Sequence, residues 1–345
     1  MNAFPSKSPS ENPKAAIQNP RWLTLSVIAF VLVVTEIVAQ AQQPKKVPRI
    51  GFLLPYSYTP DHRIEAFKQG MLELGYVEGQ NFTIEYRWAD GKFDKLPDLA
   101  ADLIRLKVDV IVAVVTQASL AAKKATRSIP IVMVGVSDPV GSGLVTSLAR
   151  PGLNITGTSS MTAEVVGKQL ELLKETVPKI SRVAALWNPA NPLFQAVQRK
   201  ETEIAAQALR VQLQIFEARG ADDIDPAFEG IVKERARALL VLGDPVFTSH
   251  RARIADLAAK HRLPAVSGTR EHVEAGGLMA YGPSFPDMYR RTATYVDKIL
   301  KGTNPSDLPI EQPTKFELAI NLKTAKQIGL IIPPSVLTRA DRVIK

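Results

Sequence analysis

The chain has 345 residues, 46% apolar and 22% charged, with 43 Lys+Arg against 34 Asp+Glu, a formal net charge of +9 and no cysteine. These proportions exclude a disordered, collagenous or coiled-coil chain, and the length leaves room for two domains. The missing cysteine excludes disulfides, thiolate metal sites, a cysteine nucleophile and a lipid-modified N-terminal cysteine.

Residues 1–20 are polar and proline-containing, and Arg21 precedes an apolar run over 22–34. That run has the length of a signal-peptide core and is short for a bilayer span. Ala39-Gln40-Ala41 follows with the small-x-small pattern of a cleavage site. Cleavage after Ala41 and export to a periplasm are expected. The alternative is a retained N-terminal anchor, which Glu36 at one end of the span would make costly in lipid. The expected signal, residues 1–41, carries Lys7, Lys14 and Arg21 against Glu11 and Glu36, so the positive balance survives its removal.

From residue 47 short apolar runs alternate with amphipathic ones. Strands are predicted at 49–54, 81–88, 109–115, 130–136 and 154–158, and helices at 61–75, 93–106 and 117–126. The helix at 61–75 is striped by Ile64, Phe67, Met71 and Leu74 and stopped by Gly75. Thr162 then reads as the cap of a helix striped by Val166, Leu170, Leu173 and Val177. Strands follow at 182–187, 211–217, 238–242 and 264–267, with helices near 192–209, 222–236 and 247–261. The tail adds a strand at 278–281, a helix from Pro286 to Leu300 stopped by Gly302, a strand at 316–320 and a helix at 323–328. Two successive β-α series of this kind predict an α/β fold with two doubly wound parallel sheets.

In such sheets ligands bind beyond the carboxyl ends of the strands. Those ends deliver Tyr56, then Thr116-Gln117-Ala118-Ser119, then Asp138; in the second half they deliver Asn188, then Asp244, then Ser267-Gly268-Thr269. Helix N-termini suit a carboxylate. Thr116 and Ser119 can add hydroxyl donors, and Asp138 and Asp244 can meet an ammonium. Tyr56 and Tyr281 are candidate rim aromatics. Each has an ordinary alternative: capping for Thr116 and Ser119, and turn formation for Asp138, Asn188 and Asp244.

Several chemistries lack their residues. The turn after the first strand is Leu54-Pro55-Tyr56-Ser57, without a dinucleotide-binding glycine pattern, and no phosphate-binding lysine loop occurs. Gly141-Ser142-Gly143 reads as a loop. His62 reads as a solvated helix start or a cleft residue; His250, His261 and His272 read as surface positions, and none has metal spacing. Glu171 and Glu175 read as a solvated face. No catalytic constellation, cofactor or metal is expected. No basic–aromatic stripe appears, so nucleic acid is not an expected partner.

The residues that remain resemble a family. Arg49-Ile50-Gly51-Phe52, Phe67-Lys68-Gln69-Gly70-Met71, Asp138-Pro139-Val140-Gly141-Ser142-Gly143, Arg150-Pro151-Gly152-Leu153-Asn154-Ile155-Thr156-Gly157 and Lys315-Phe316-Glu317-Leu318-Ala319-Ile320-Asn321 are similar to stretches of ABC transporter substrate-binding proteins of the tryptophan/aromatic-amino-acid type. Gly152-Leu153 departs from the double glycine usual there. The resemblance implies a type-1 periplasmic-binding-protein fold with lobe 1 at 47–158 plus 281–308 and lobe 2 at 159–280 plus 309–345. It places the crossings near 158–163, 279–285 and 309–315. It implies ligand contacts from Thr116, Gln117, Ala118, Asp138, Asn188 and Asp244, with Tyr281 at a crossing. For an aromatic amino acid, Tyr56, Tyr58, Phe194 or Phe247 would form the walls. The expected partners are a small-molecule ligand, an amino acid, and an inner-membrane ABC permease, with the protein a monomer. A periplasmic sensing subunit that docks on a signalling receptor is the alternative, and an exported enzyme has no supporting residues.

Overall fold

The computed structural model describes residues 46–57 and 62–345, and within these nothing is described of the side chains of Leu193 and Phe194. The expected export signal, its cleavage site and Tyr58 lie outside the described residues. Twelve strands among them form two sheets.

The first sheet holds β1 (Arg49–Leu54), β2 (Thr83–Trp88), β3 (Val110–Val114), β4 (Ile131–Val136) and β5 (Ile155–Ser159), in the order β2-β1-β3-β4-β5. All its pairings are parallel. β3 and β4 are apolar runs buried along their whole length, as a sheet covered on both faces requires. The period of two splits their side chains between two cores. Phe52, Val112 and Val132 face α1 (His62–Glu73). Leu53, Ile111 and Met133 face α2 (Leu96–Arg105) and α3 (Val115–Ala125).

The second sheet holds β6 (Arg182–Trp187), β7 (Gln212–Glu217), β8 (Leu239–Val241), β9 (Ala265–Ser267) and β10 (Met279–Pro283), with β11 (Phe316–Asn321) and β12 (Arg342–Ile344) beyond. Its order is β12-β11-β10-β9-β8-β6-β7. Only the β10–β11 pairing is antiparallel. Around it lie α4 (Val166–Thr176), α5 (Pro192–Ala208), α6 (Ile224–Lys233), α7 (Pro245–Ser249), α8 (Arg251–Lys260) and α9 (Arg270–Glu274). After β10 the chain returns to the first sheet as α10 (Phe285–Leu300), whose Met288, Tyr289 and Val296 complete the core under Phe52 and Phe67. Gly70 permits the contact of α1 with α10, since a Cβ there would lie 2.9 Å from the Ala293 Cβ and from the Arg290 carbonyl oxygen. The short α11 (Leu322–Gln327) and α12 (Pro334–Leu337) cover the second sheet's core.

The departures from the sequence expectations are local. The helix expected at 247–261 is two helices, because Asp244 starts α7 and His250, with φ of −104° and ψ of 21°, breaks the path to α8. Thr162 caps nothing: α4 starts at Val166 with Val165 as its N-cap residue, and the Thr162 hydroxyl bonds Ser137 Oγ at 3.0 Å. α9, α12 and β12 are three to five residues long and carry too few positions to show a period. Leu153 sits at φ +56° and is 73% exposed, a left-handed position where glycine is the relaxed choice.

The chain passes between the sheets after Ser159, at Ser284 and between residues 312 and 315. The passages are tied together by backbone bonds. Ser159 N donates to the Glu311 carbonyl at 2.8 Å, Glu311 N to Gly157 at 3.0 Å and Ser284 N to Lys315 at 3.1 Å. No helix among the described residues is long and apolar enough to cross a membrane.

Candidate ligand cleft between the two sheets

Strand order reverses between β1 and β3 in one sheet and between β6 and β8 in the other. The loops at the carboxyl ends of these strands diverge there, which opens a crevice. A cavity lies at both crevices at once. The first sheet and its helices supply Tyr56, Arg63, Val115, Gln117, Gly135 and Phe285. Ser160 and Thr162 enter from the first passage. The second sheet supplies Gln169, Gln198, Gly243, Asp244, Thr248 and Thr269, among others.

The first-sheet wall is set by backbone geometry. Val115 has φ +57°, a strained conformation for a β-branched residue. It turns the chain sharply from β3 into α3. The first turn of a helix has amide N–H groups without intrahelical acceptors and the positive end of the helix dipole. Ser119 does not point a free hydroxyl at this turn; its Oγ donates to the Val115 carbonyl at 2.8 Å and stiffens the turn. Thr116 Oγ1 is buried and has no hydrogen-bond partner among the described residues. Phe285 lies over Gly135, whose φ is +66° and whose Cβ would stand 3.0 Å from the Phe285 ring. A bare backbone there lets the ring form part of the cavity wall. The Arg63 guanidinium stands 4.9 Å from the centre of the Tyr56 ring, a cation–π contact.

The second-sheet wall is a buried polar network centred on Asp244. As the N-cap of α7, Asp244 accepts from Val246 N at 2.9 Å. The same Oδ1 accepts from Asn188 Nδ2 at 3.0 Å, and Oδ2 accepts from Asn191 Nδ2 at 2.9 Å. Gln195 Nε2 and Gln198 Nε2 both donate to the Gly243 carbonyl, at 2.8 and 3.0 Å. Gln198 Oε1 takes the Gly243 N–H at 3.0 Å. Burial pushes the Asp244 carboxyl above its ordinary range, against the lowering effect of the donors from Asn191, Asn188 and Val246. Gln117 Nε2 donates to Asn191 Oδ1, so one chain of bonds runs from α3 across the cleft to the buried carboxylate.

Of the sequence-predicted residues, Tyr56, Gln117, Asp244 and the strand-end Thr269 line the cavity. Thr116 and Ala118 stand in the first turn of α3, with Ala118 packed into the core behind it. Asn188 stands behind Asp244 as its donor. Tyr281 turns its ring away, stacked on Phe316 with centroids 6.2 Å apart and packed on the second core. Its carbonyl accepts from Gln169 Nε2 at 2.8 Å and so holds a cavity residue. Asp138 is exposed and is not part of the cavity wall; its Oδ1 accepts from Gly141 N at 2.7 Å and closes the 138–141 turn. Phe247 is buried in the second-sheet core and is not on the wall. His272 is a correction to the surface reading, since it is only 6% exposed. Glu171 and Glu175 pair separately with Lys168 and Arg339.

Sequence reading missed Arg63, Gln169, Gln198, Thr248 and Phe285. One signal was available. Asn191, Gln195, Gln198 and Thr202 recur at helical spacing and are all buried, a polar stripe on the inner face of α5. Among the described residues no group of three or more His, Asp or Glu can hold a metal ion.

The chain is 24% identical over 278 residues to a tyrosine-binding protein of Clostridioides difficile (strain R20291), covering 78% of this chain and 77% of that protein. A solved structure from Streptococcus pneumoniae in complex with L-Trp matches with 26% identity and TM-score 0.76, over 86% of this chain and 100% of that one. The ligand-free, open structure of a substrate-binding protein from Clostridium difficile has the same 26% identity and a TM-score of 0.63, over 87% of this chain and 100% of that one. The architecture is that of type-1 periplasmic binding proteins. The model of the ABC transporter substrate-binding protein family matches residues 59–344, and the chain belongs to that family.

Proposed function

We propose that this protein captures a small polar ligand, an amino acid, between its two lobes and delivers it to an ABC permease. The observation that carries the reading is the cavity at the switch points of both sheets, with a buried carboxylate on one side and a helix N-terminus on the other. Asp244 would take the ammonium. The first-turn amides of α3, with the Thr116 hydroxyl, would take the carboxylate. Tyr56, Val115 and Phe285 would flank an apolar or aromatic side chain, and Gln169, Gln198, Thr248 and Thr269 would meet its polar atoms. The passages at 160–165, Ser284 and 312–315 would act as the hinge. Export to the periplasm, with cleavage after Ala41, would put the protein where such a permease collects its cargo. The tyrosine- and tryptophan-binding relatives support the ligand class.

A thermal-shift screen against amino acids, sugars, purines and organic acids tests this reading. Ligand at a hundredfold excess over its dissociation constant stabilises the native state by about 2.7 kcal/mol. For a chain this long the melting temperature is expected to rise by roughly 2–4 °C per kcal/mol with tyrosine, tryptophan or phenylalanine. A shift given only by sugars or purines would reject the amino-acid assignment.

A further inference from the structure

The two lobes are joined by more than the cavity wall. At the cavity's edge the first turn of α1 meets α9 of the other lobe. His62 Nε2 lies 3.4 Å from Glu271 Oε1, and Arg63 Nε lies 3.7 Å from the same oxygen. His62 Nδ1 lies 3.9 Å from Glu274 Oε2. Glu271 and Arg63 are buried, at 6% and 3% exposure. His62 Nε2 and Glu271 Oε1 are both buried atoms without a well-aligned hydrogen bond, and each is the other's complement. Glu274 continues the ionic chain to Arg270 and Arg342, and Arg270 to Glu317.

We infer that His62, Arg63 and Glu271 form a latch that sets the closed population of the lobes, with Arg63 coupling it to the ligand. The inference rests on the two-lobed capture reading. Its physical basis is a difference between states. A carboxylate buried against a guanidinium and an imidazole from the opposite lobe is compensated only while the lobes touch; apart, water must resolvate all three groups. Arg63 belongs to both systems. Its guanidinium lines the cavity and stacks on Tyr56, while its Nε faces Glu271. A ligand that fixes Tyr56 and Arg63 therefore fixes half of the latch. A ligand shifts the lobe equilibrium only through such differential contacts.

The absence of native cysteine makes the test clean, because Lys124→Cys on α3 and Lys233→Cys on α6 give one label pair across the lobes. Spin-label distance distributions without added ligand should contain a short, closed component. Glu271→Gln should lower the closed-to-open ratio about tenfold and weaken tyrosine or tryptophan binding by up to a comparable factor, the expectation for a population shift. His62→Gln, at a side chain 36% exposed, should move the ratio the same way by a smaller factor. Glu203→Gln, in an exposed pair on α5, should leave it unchanged. A wild-type distribution with only the open component overturns the latch, as do wild-type distributions for both Glu271→Gln and His62→Gln. These distances are read without ligand, so failure of the amino-acid screen and failure of the latch are separate results.

Discussion

Asp244→Ala is expected to abolish ligand binding and to lower unfolding stability by about 3 kcal/mol, the scale for leaving several buried donors without their acceptor. The substitution leaves three buried donors, Asn188 Nδ2, Asn191 Nδ2 and Val246 N, without their acceptor. Each orphaned group costs roughly 1–3 kcal/mol, offset in part because a buried carboxylate no longer has to be desolvated. The loss should reach beyond the second lobe, because Asn191 also receives Gln117 from the first. Asp244→Asn separates the roles. It keeps the size and the α7 cap but removes the charge, so folding should suffer less while an ammonium ligand is still lost. Urea unfolding and calorimetric titration of both variants give the two readouts. Unchanged urea midpoint and unchanged affinity for Asp244→Ala would remove both the network and the ammonium role.

Acid is expected to destabilise the protein in two stages, beginning with His272. Burial, aided by the nearby Arg251 cation and opposed by Glu271, brings the His272 pKa from 6.5 down to about 4. Between those values the unfolded chain takes up a proton that the native site refuses, so stability falls as pH falls from 6.5 towards 4. The loss integrates to about 3 kcal/mol for this side chain. Glu271 adds the second stage. Burial alone would raise its carboxyl, but the His62 contact and the Arg63 charge prevail and hold it at about 2 against an ordinary 4.5. Its contribution is complete above 4.5 and is lost as pH falls through that window towards 2. Asp244 works the other way, because its raised carboxyl is relieved by protonation. Urea unfolding from pH 7 to pH 4 should therefore show a falling midpoint, and His272→Leu should flatten the part above pH 4.5. An equal slope in that variant would mean that His272 does not control the first stage.

The fold was legible because its signals are long and periodic. β3 and β4 are unbroken apolar runs, and α10 keeps an apolar stripe over 16 residues. The elements that escaped, α9, α12 and β12, are too short for a period to form and are held by tertiary contacts. The cleft was legible only by position along strands. That rule found Tyr56, Gln117 and Asp244, which stand at strand ends. It cannot tell a side chain that enters the crevice from one that turns back. Asp138 and Asp244 are both Asp-Pro at a strand end, yet one closes an exposed turn and the other is buried on the cavity wall. Residues that reach the cleft from helix faces, such as Gln169, Gln198 and Arg63, need the packing of α4, α5 and α1 to be placed. Phe285 was hidden for another reason. It depends on the chain returning to the first sheet after Ser284 and on Gly135 leaving room for its ring.

The measurement that tests the central claim most directly is a crystal structure of the protein with the amino acid that gives the largest thermal shift. The account predicts ligand density between Tyr56 and Phe285 on one side and Asp244 on the other, with its carboxylate at the first turn of α3. Ligand held elsewhere, for example in the separate pocket beside Thr158, Arg291 and Glu311, with the cleft free of it, would contradict the account.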